Sequence, residues 1–381
     1  MITVHTLLLI LLVISGFLVA YSYALYPLLL LVGARFIRRE ESPTKAARLP
    51  HVSLVVAAHN EERVIEDKIR NTMALDYPRE HLEFLVGSDG STDQTDEICR
   101  RYPWVTFERI APRRGKTNVL NTLIPKARGE IIVLTDANTI LQPDALRAMV
   151  RHFDDITVGG VCGRLVLVSD RQKLADTERV YWDYETRVKE LESRWYSTIG
   201  ANGGIYAIRK ELFVPIPTDT IIDDFVISLN LLEQGRRLVF ERDAVAREEV
   251  SKSFQDEFWR KVRIGAGNLQ TLGRRTGFFF RAPLFVSFAY VSRKVIRWLI
   301  PFLLIVFWLC SLALADGQPF AILFWGLNLS MVLAMVGLLG LSKSKLVMAL
   351  AYLYSLNVAL LVGYGRYLFG LQGTAWRRAE R

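Results

Sequence analysis

Four stretches of the chain carry no Asp, Glu, Lys or Arg, and the remainder alternates short apolar runs with polar loops. Residues 1–34, 298–315, 317–342 and 346–365 contain no Asp, Glu, Lys or Arg. Each is near or above the ~18–20 residues needed to cross a hydrocarbon core. Between about residues 50 and 255 charge recurs regularly, as in a water-soluble domain. The pattern predicts a globular domain inserted between one N-terminal transmembrane helix and about three C-terminal ones. The boundaries are 1–34 for the first helix, 50–255 for the globular domain and 256–296 for an amphipathic, interfacial region. Residues 297–370 hold the C-terminal helices and 371–381 a basic tail.

Within the globular domain, residues 51–58 read as a buried strand, followed by His59-Asn60-Glu61-Glu62 and a helical spacing of Val64, Ile65 and Ile69. A second strand at 82–86 runs into Gly87-Ser88-Asp89-Gly90-Ser91-Thr92-Asp93, where Gly90 permits a tight turn and Ser91 or Asp93 can cap the next helix. A third strand near 105–107 leads to Arg113-Arg114-Gly115-Lys116 and another helix. The run Ile131-Ile132-Val133-Leu134 is a strand buried on both faces, ending on Thr135-Asp136-Ala137-Asn138. Strands alternating with helices predict an α/β fold with a doubly wound, mainly parallel sheet. Further on, 158–167 and 200–209 are strands entered through glycine-rich turns, the second carrying Asn202 and Gly203. Residues 172–195 form a long charged helix whose Tyr181, Trp182 and Tyr184 read as a packing stripe on a surface helix. Residues 277–288 read as membrane-surface or re-entrant, because Arg281 and Pro283 interrupt them.

Composition narrows the class. Of 381 residues, 51% are apolar and 23% charged, which excludes a disordered chain. The net charge of +9 is concentrated beside the hydrophobic segments, where anionic headgroups and not nucleic acid are the natural partner. Arg35, Arg38 and Arg39 follow the first segment, which lacks the basic start of a secretory signal. They place the globular domain in the cytoplasm and the chain in the inner (plasma) membrane as a multi-pass protein. The basic end at Arg377, Arg378 and Arg381 then conflicts with an external C-terminus, so either the tail departs from the rule or one segment is re-entrant. Cys99, Cys162 and Cys310 have no metal spacing and suit reduced thiols.

Candidate chemistry gathers at the carboxyl ends of the strands, where open α/β sheets bind ligands. Asp136 with Asn138 can hold a hard divalent cation against a diphosphate; an Asx turn is the alternative. Asp223-Asp224 opens an apolar helix, as a first-turn acidic pair or as a catalytic centre. The order strand–HNEE, strand–GSDGSTD, RRGK, strand–TDAN resembles an inverting family 2 glycosyltransferase with the GT-A fold. The likeness covers roughly residues 52–267, and the membrane flanks resemble the cellulose and hyaluronan synthase group.

That resemblance implies a nucleotide-sugar donor, a UDP-sugar above others, and a glycan or lipid acceptor. Ala58, Glu61 and Asp89 would line the nucleotide pocket, Gly115 and Lys116 would approach the phosphates, and Asp136 would bind Mg²⁺ or Mn²⁺. Asn138 stands where the family's usual Asp-x-Asp motif has its second acid, giving a site with one negative charge fewer. Asp224 would be the base and Asp223 its acceptor-side neighbour, with Asn202 and Gly203 close to the sugar. The processive members' Gln-x-x-Arg-Trp is here Arg260-x-x-Arg263-Ile264; Arg263 would contact the diphosphate, and the Trp that stacks on the acceptor is missing. The implied activity is β-glycan synthesis for the cell envelope or addition of one sugar to a lipid. A non-catalytic scaffold that binds nucleotide-sugar is the alternative of another class, and a second copy or an export partner stays open.

Overall fold

The computed structural model describes residues 3–36, 48–168, 174–249, 254–342 and 344–373, with backbone only at 174–180 and 254. Arg38 and Arg39, residues 172–173 of the expected long helix and the basic tail from 374 lie outside the described residues. Eight strands form one sheet: β1 (Val52–Ala58), β2 (Leu82–Asp89), β3 (Val105–Ile110), β4 (Ile131–Leu134), β5 (Ile140–Leu141), β6 (Val158–Val168), β7 (Tyr206–Arg209) and β8 (Arg237–Glu249). Their order is β3-β2-β1-β4-β7-β6-β8-β5. β1 is parallel to both β2 and β4, with Val52 opposite Leu82 and Ile131. β7 runs antiparallel to β4 and β6, while β6 and β8 are parallel. The sheet is therefore mixed and mainly parallel, as expected.

Alternation along β1 explains why both faces are covered. Val52, Leu54, Val56 and Ala58 enter one core with Ile65 and Ile69 of helix α1 (Ile65–Met73). Val55 and Ala57 enter the other, against Val119, Leu120 and Leu123 of α2 (Lys116–Lys126) and Val226, Ile227 and Leu231 of α3 (Asp223–Glu233). The chain turns over at Leu134, which sits opposite Tyr206. Because β7 is antiparallel, its first residue lies at the same sheet edge as the last residues of β1, β2 and β4.

Four helices are long and apolar enough to cross a membrane: Val4–Gly33, Leu284–Ala313, Gln318–Leu338 and Lys345–Leu368. Single wide π-type turns interrupt the first at Tyr21–Leu25 and the second at Tyr290–Val295. The two turns meet, with Tyr21 and Ser292 hydroxyls 2.8 Å apart and the Ser22 hydroxyl donating to Ser292 O. The boundary expected between 296 and 297 falls inside the second of these helices. Pro283 starts that helix instead of breaking it, since a proline at the helix start costs no hydrogen bond.

The long helix Leu174–Trp195 is not a surface helix. Val188 and Leu191 lie in a third core with Tyr26 and Leu30 of the first span, Tyr290 and Trp298 of the second, and Leu360 of the last. Its acids have buried partners: Glu192 takes Arg293 and the Tyr26 hydroxyl, and Glu185 takes Arg293 and Arg297. A Cβ on Gly33 would lie 1.5 Å from the Trp195 ring, so only glycine lets the first span approach this closely. The amphipathic spacing of Phe254–Arg274 likewise docks it on the last span, where Gly363 meets the Val262 carbonyl.

Candidate active site

The loops at the carboxyl ends of β1 and β2 are stitched to one another. Asn60, in the left-handed region at φ 56°, accepts from Thr92 N through Oδ1 at 2.8 Å. The backbone N–H groups of Asn60, Glu61 and Glu62 donate to Ser91, Thr95 and Asp93 side chains. Asp93 also accepts from the backbone N–H of Thr95, the first residue of the helix Thr95–Arg100, whose cap position is Gln94 and not Ser91 or Asp93.

Asp89 is fully buried, and its carboxylate accepts from the backbone of Arg114 at 2.7 Å and Gly115 at 2.9 Å. Gly115 adopts φ 95°, a conformation that glycine reaches without strain, and it turns the chain into α2. Asp89 thus holds the loop that presents Lys116. Asp89 and Ala58 sit behind the cleft wall; Ala57 and Glu61 line the cleft.

Lys116, the first residue of α2, projects its ammonium between two carboxylates. Nζ is 2.8 Å from Asp136 Oδ1 and 3.4 Å from Asp223 Oδ2. These acids outweigh the burial that opposes its charge, and hold its pKa above the ordinary lysine value. No side chain caps α3, whose first residue is Asp223, so this acid faces Lys116 and does not cap the helix. The neighbouring Asp224 accepts from Phe225 N at 2.8 Å through Oδ1. Burial, then the Asp223 charge, push the Asp224 pKa up to about 6, against the pull of Lys116. A Cβ on Gly203 would lie 3.1 Å from Asp224 Oδ2, so glycine leaves space before this carboxylate.

Asp136 and Asn138 flank the same wall, and the Asn138 amide donates to Glu248 Oε1 at 2.9 Å. Among the described residues no three His, Cys, Asp or Glu side chains converge as a closed metal cage requires. An Mg²⁺ or Mn²⁺ ion shared with substrate phosphates needs only one or two protein carboxylates. One carboxylate and one amide oxygen facing a cleft fit that open kind of site.

Asp136, Asp223, Asp224, Lys116, Asn202, Gly203, Arg260, Arg263 and Ile264 all border one cleft of about 940 Å³. Arg263 donates to Ile221 O at 3.2 Å, bracing the segment that carries the acidic pair. Arg260 is a bidentate partner of Glu257. Asn202 serves as a strut: it accepts from Lys189 and donates to Gly163 O at 2.8 Å.

Two site residues were not legible from the pattern. Lys68 reads as an exposed charge on α1, yet it is fully buried, donating to Thr135 Oγ1 at 2.9 Å and Thr139 O at 2.6 Å. Burial pushes its pKa down to about 7 against the opposing charge of Asp136. Tyr206 reads as a core strand residue, but its buried hydroxyl has no hydrogen-bond partner among the described residues and feels Asp223, Asp224 and Asp136. Only the antiparallel pairing with β4 brings it there.

A mixed sheet with its acids at the β4 and α3 ends, closed by membrane helices, is a GT-A architecture. The sequence profile of "Glycosyl transferase family 2" matches residues 53–214. A poly-beta-1,6-N-acetyl-D-glucosamine synthase of Staphylococcus aureus is 25% identical over 248 residues, covering 63% of this chain and 60% of that one. The chain thus matches less than two thirds of that relative's length. Among solved structures, the mannosyltransferase PcManGT of Pyrobaculum calidifontis, in complex with GDP-Man and Mn²⁺, superposes with a TM-score of 0.73. It is 25% identical, and the match covers 95% of this chain and 100% of that one. The α/β domain thus carries the family 2 glycosyltransferase signature over residues 53–214 on a GT-A fold, and is similar to the cellulose and poly-N-acetylglucosamine synthase-like group.

Proposed function

We propose that this chain transfers a sugar from a nucleoside diphosphate sugar to a hydroxyl that reaches the cleft from the membrane, inverting the anomeric centre. The observation that carries the reading is Asp224, a carboxylate with a raised pKa beside the space that Gly203 leaves open. In the step, the acceptor hydroxyl gives its proton to Asp224 as its oxygen bonds to the anomeric carbon. The bond from that carbon to the diphosphate breaks, and the nucleoside diphosphate leaves with the electron pair. Lys116, the amino end of α2 and Arg263 meet the leaving charge. Mg²⁺ or Mn²⁺, held by Asp136 and Asn138, would screen the diphosphate further. Glu61 and the loop that Asp89 fastens would take the nucleotide.

Uridine is the base that the motifs imply; the solved relative was captured with GDP-Man. Addition of one sugar to a membrane acceptor is the favoured outcome, because Ile264 lines the cleft where processive enzymes stack a tryptophan. Processive synthesis is the second reading, supported by the likeness to a poly-beta-1,6-N-acetyl-D-glucosamine synthase. The catalytic domain would face the cytoplasm of the plasma membrane, as Arg35 beyond the first span suggests.

The test is product analysis of the purified protein in lipid, given radiolabelled UDP- and GDP-sugars with Mg²⁺ or Mn²⁺. One sugar on an extractable lipid is expected; a high-mass ladder would establish the processive reading. Chelation should abolish transfer, and Asp224→Asn should bind donor without transferring it. Full transfer by that variant would overturn the assignment of the base, and binding without turnover by the wild type would favour a scaffold.

A further inference from the structure

The cleft does not end at the catalytic acids. It continues between the helix Leu174–Trp195 and the spans, where Lys189, Arg293, Lys294 and Arg297 line it together with Trp298, Leu356 and Leu360. Four cations here face two carboxylates. Arg293 pairs with Glu185 and Glu192, and Arg297 pairs with Glu185. Lys189 has the neutral Asn202 oxygen and, at 3.8 Å, the Cys162 sulfur. Lys294 lies over the face of the Phe225 ring, 5.0 Å from Nζ, and forms no ion pair within 4 Å among the described residues, while Glu185 and Glu192 act on it at longer range. Phe225 is in turn the residue whose N–H holds Asp224.

A half-buried ammonium that shares two carboxylates with two arginines leaves net positive charge in a confined space, and an anionic ligand relieves it. Trp298, Leu356 and Leu360 of the spans line this positive end beside the cations, so the anion that fits carries a hydrocarbon tail. Lysine ammoniums, as point charges, suit the several oxygens of a phosphate. We propose that this inner end is an anion site for the phosphate or diphosphate of a membrane lipid, and that the acceptor hydroxyl is carried on that headgroup. The lipid phosphate is unchanged in the reaction: the hydroxyl proton goes to Asp224, the new bond forms at the anomeric carbon, and the nucleoside diphosphate departs. The acceptor role rests on the transfer reading above; the anion site itself can be tested separately.

Trp182 and Trp298 line the cavity and report on its contents. The experiment titrates the full chain, in a neutral detergent, with dioctanoyl phosphatidylglycerol, dioctanoylglycerol, inorganic phosphate and UDP, reading tryptophan fluorescence. Phosphatidylglycerol is expected to bind at least about tenfold more tightly than dioctanoylglycerol or phosphate. Lys294→Gln should lose about tenfold in lipid affinity, Lys294→Arg should retain it, and both should bind UDP as the wild type does. Equal binding of dioctanoylglycerol, equal binding of free phosphate, or an unchanged Lys294→Gln would each overturn the site. Loss of UDP binding in the wild type, with the lipid result intact, would instead count against the nucleotide-sugar reading.

Discussion

At the scale of single residues, the site trades stability for chemistry. Asp224 has its pKa raised to about 6 from an ordinary 3.8. A carboxylate raised in this way stabilises the fold while protonated, below its unfolded value, and loses that contribution as pH rises through the folded value. Asp224→Asn should therefore raise the thermal midpoint at pH 7.5, by up to about 3 kcal/mol of stability, and give no gain near pH 4. The proposed catalysis runs the other way, because Asp224 as base would work ionised. Donor-limited kcat/KM should climb through a limb near pH 6 and then level, and a pH–rate profile without that limb would remove Asp224 as the base. Lys68 acts from behind Asp136, holding Thr135 and Thr139. Lys68→Met should leave the fold intact and lower kcat about tenfold or more, with Lys68→Arg recovering little because the buried space is shaped for a slim side chain. A KM change with kcat unaltered would place Lys68 in ground-state binding instead.

At the scale of elements, close approach decides which helix carries which residue. The helix Phe254–Arg274 brings Arg263 to the cleft only while it is seated on Lys345–Leu368. The seat is Gly363, where an added Cβ would lie 2.3 Å from Val262 O and 2.8 Å from Ala266 N. Both neighbours are backbone and cannot swing aside. Gly363→Ala should cost roughly 1–3 kcal/mol and weaken donor binding through Arg263, measurable as a lowered thermal midpoint with a raised donor Kd. A lowered midpoint with an unchanged Kd would separate the seat from the site. The helix Leu174–Trp195 shows the limit of reading charge along one element. Its charges read as those of a surface helix, but Glu185 and Glu192 are the counter-ions of Arg293 and Arg297 on a span more than 100 residues further on.

At the scale of the whole molecule, those ion pairs bind the globular domain to its membrane helices. Arg293 is fully buried between Glu185 and Glu192, and Tyr26 of the first span donates to Glu192. Removing one partner leaves the others buried without compensation, so Arg293→Met should cost about 3–5 kcal/mol in detergent-solubilised protein. A fragment of residues 48–249 should self-associate in gel filtration, because Val188, Leu191 and Trp195 lose the spans that cover them. A monodisperse, active fragment would show that the domain completes its own site.

Sequence alone determined what depends on local order. Apolar runs without charge have one stable place, so the four membrane helices were legible, as was the alternation that builds a mainly parallel sheet. Motifs at strand ends were legible too, because a strand followed by Asp-x-Asn or Gly-Ser-Asp-Gly puts its polar groups at the sheet edge whatever follows. Tertiary structure decided what depends on meetings between distant segments. It set Lys116 between Asp136 and Asp223, 20 and 107 positions apart in sequence from it. It turned Asp89 into the fastening of a loop, buried Lys68, and brought Tyr206 beneath three acids through an antiparallel pairing. The burial of a charge is a property of everything packed around it, and no periodicity along the chain records that.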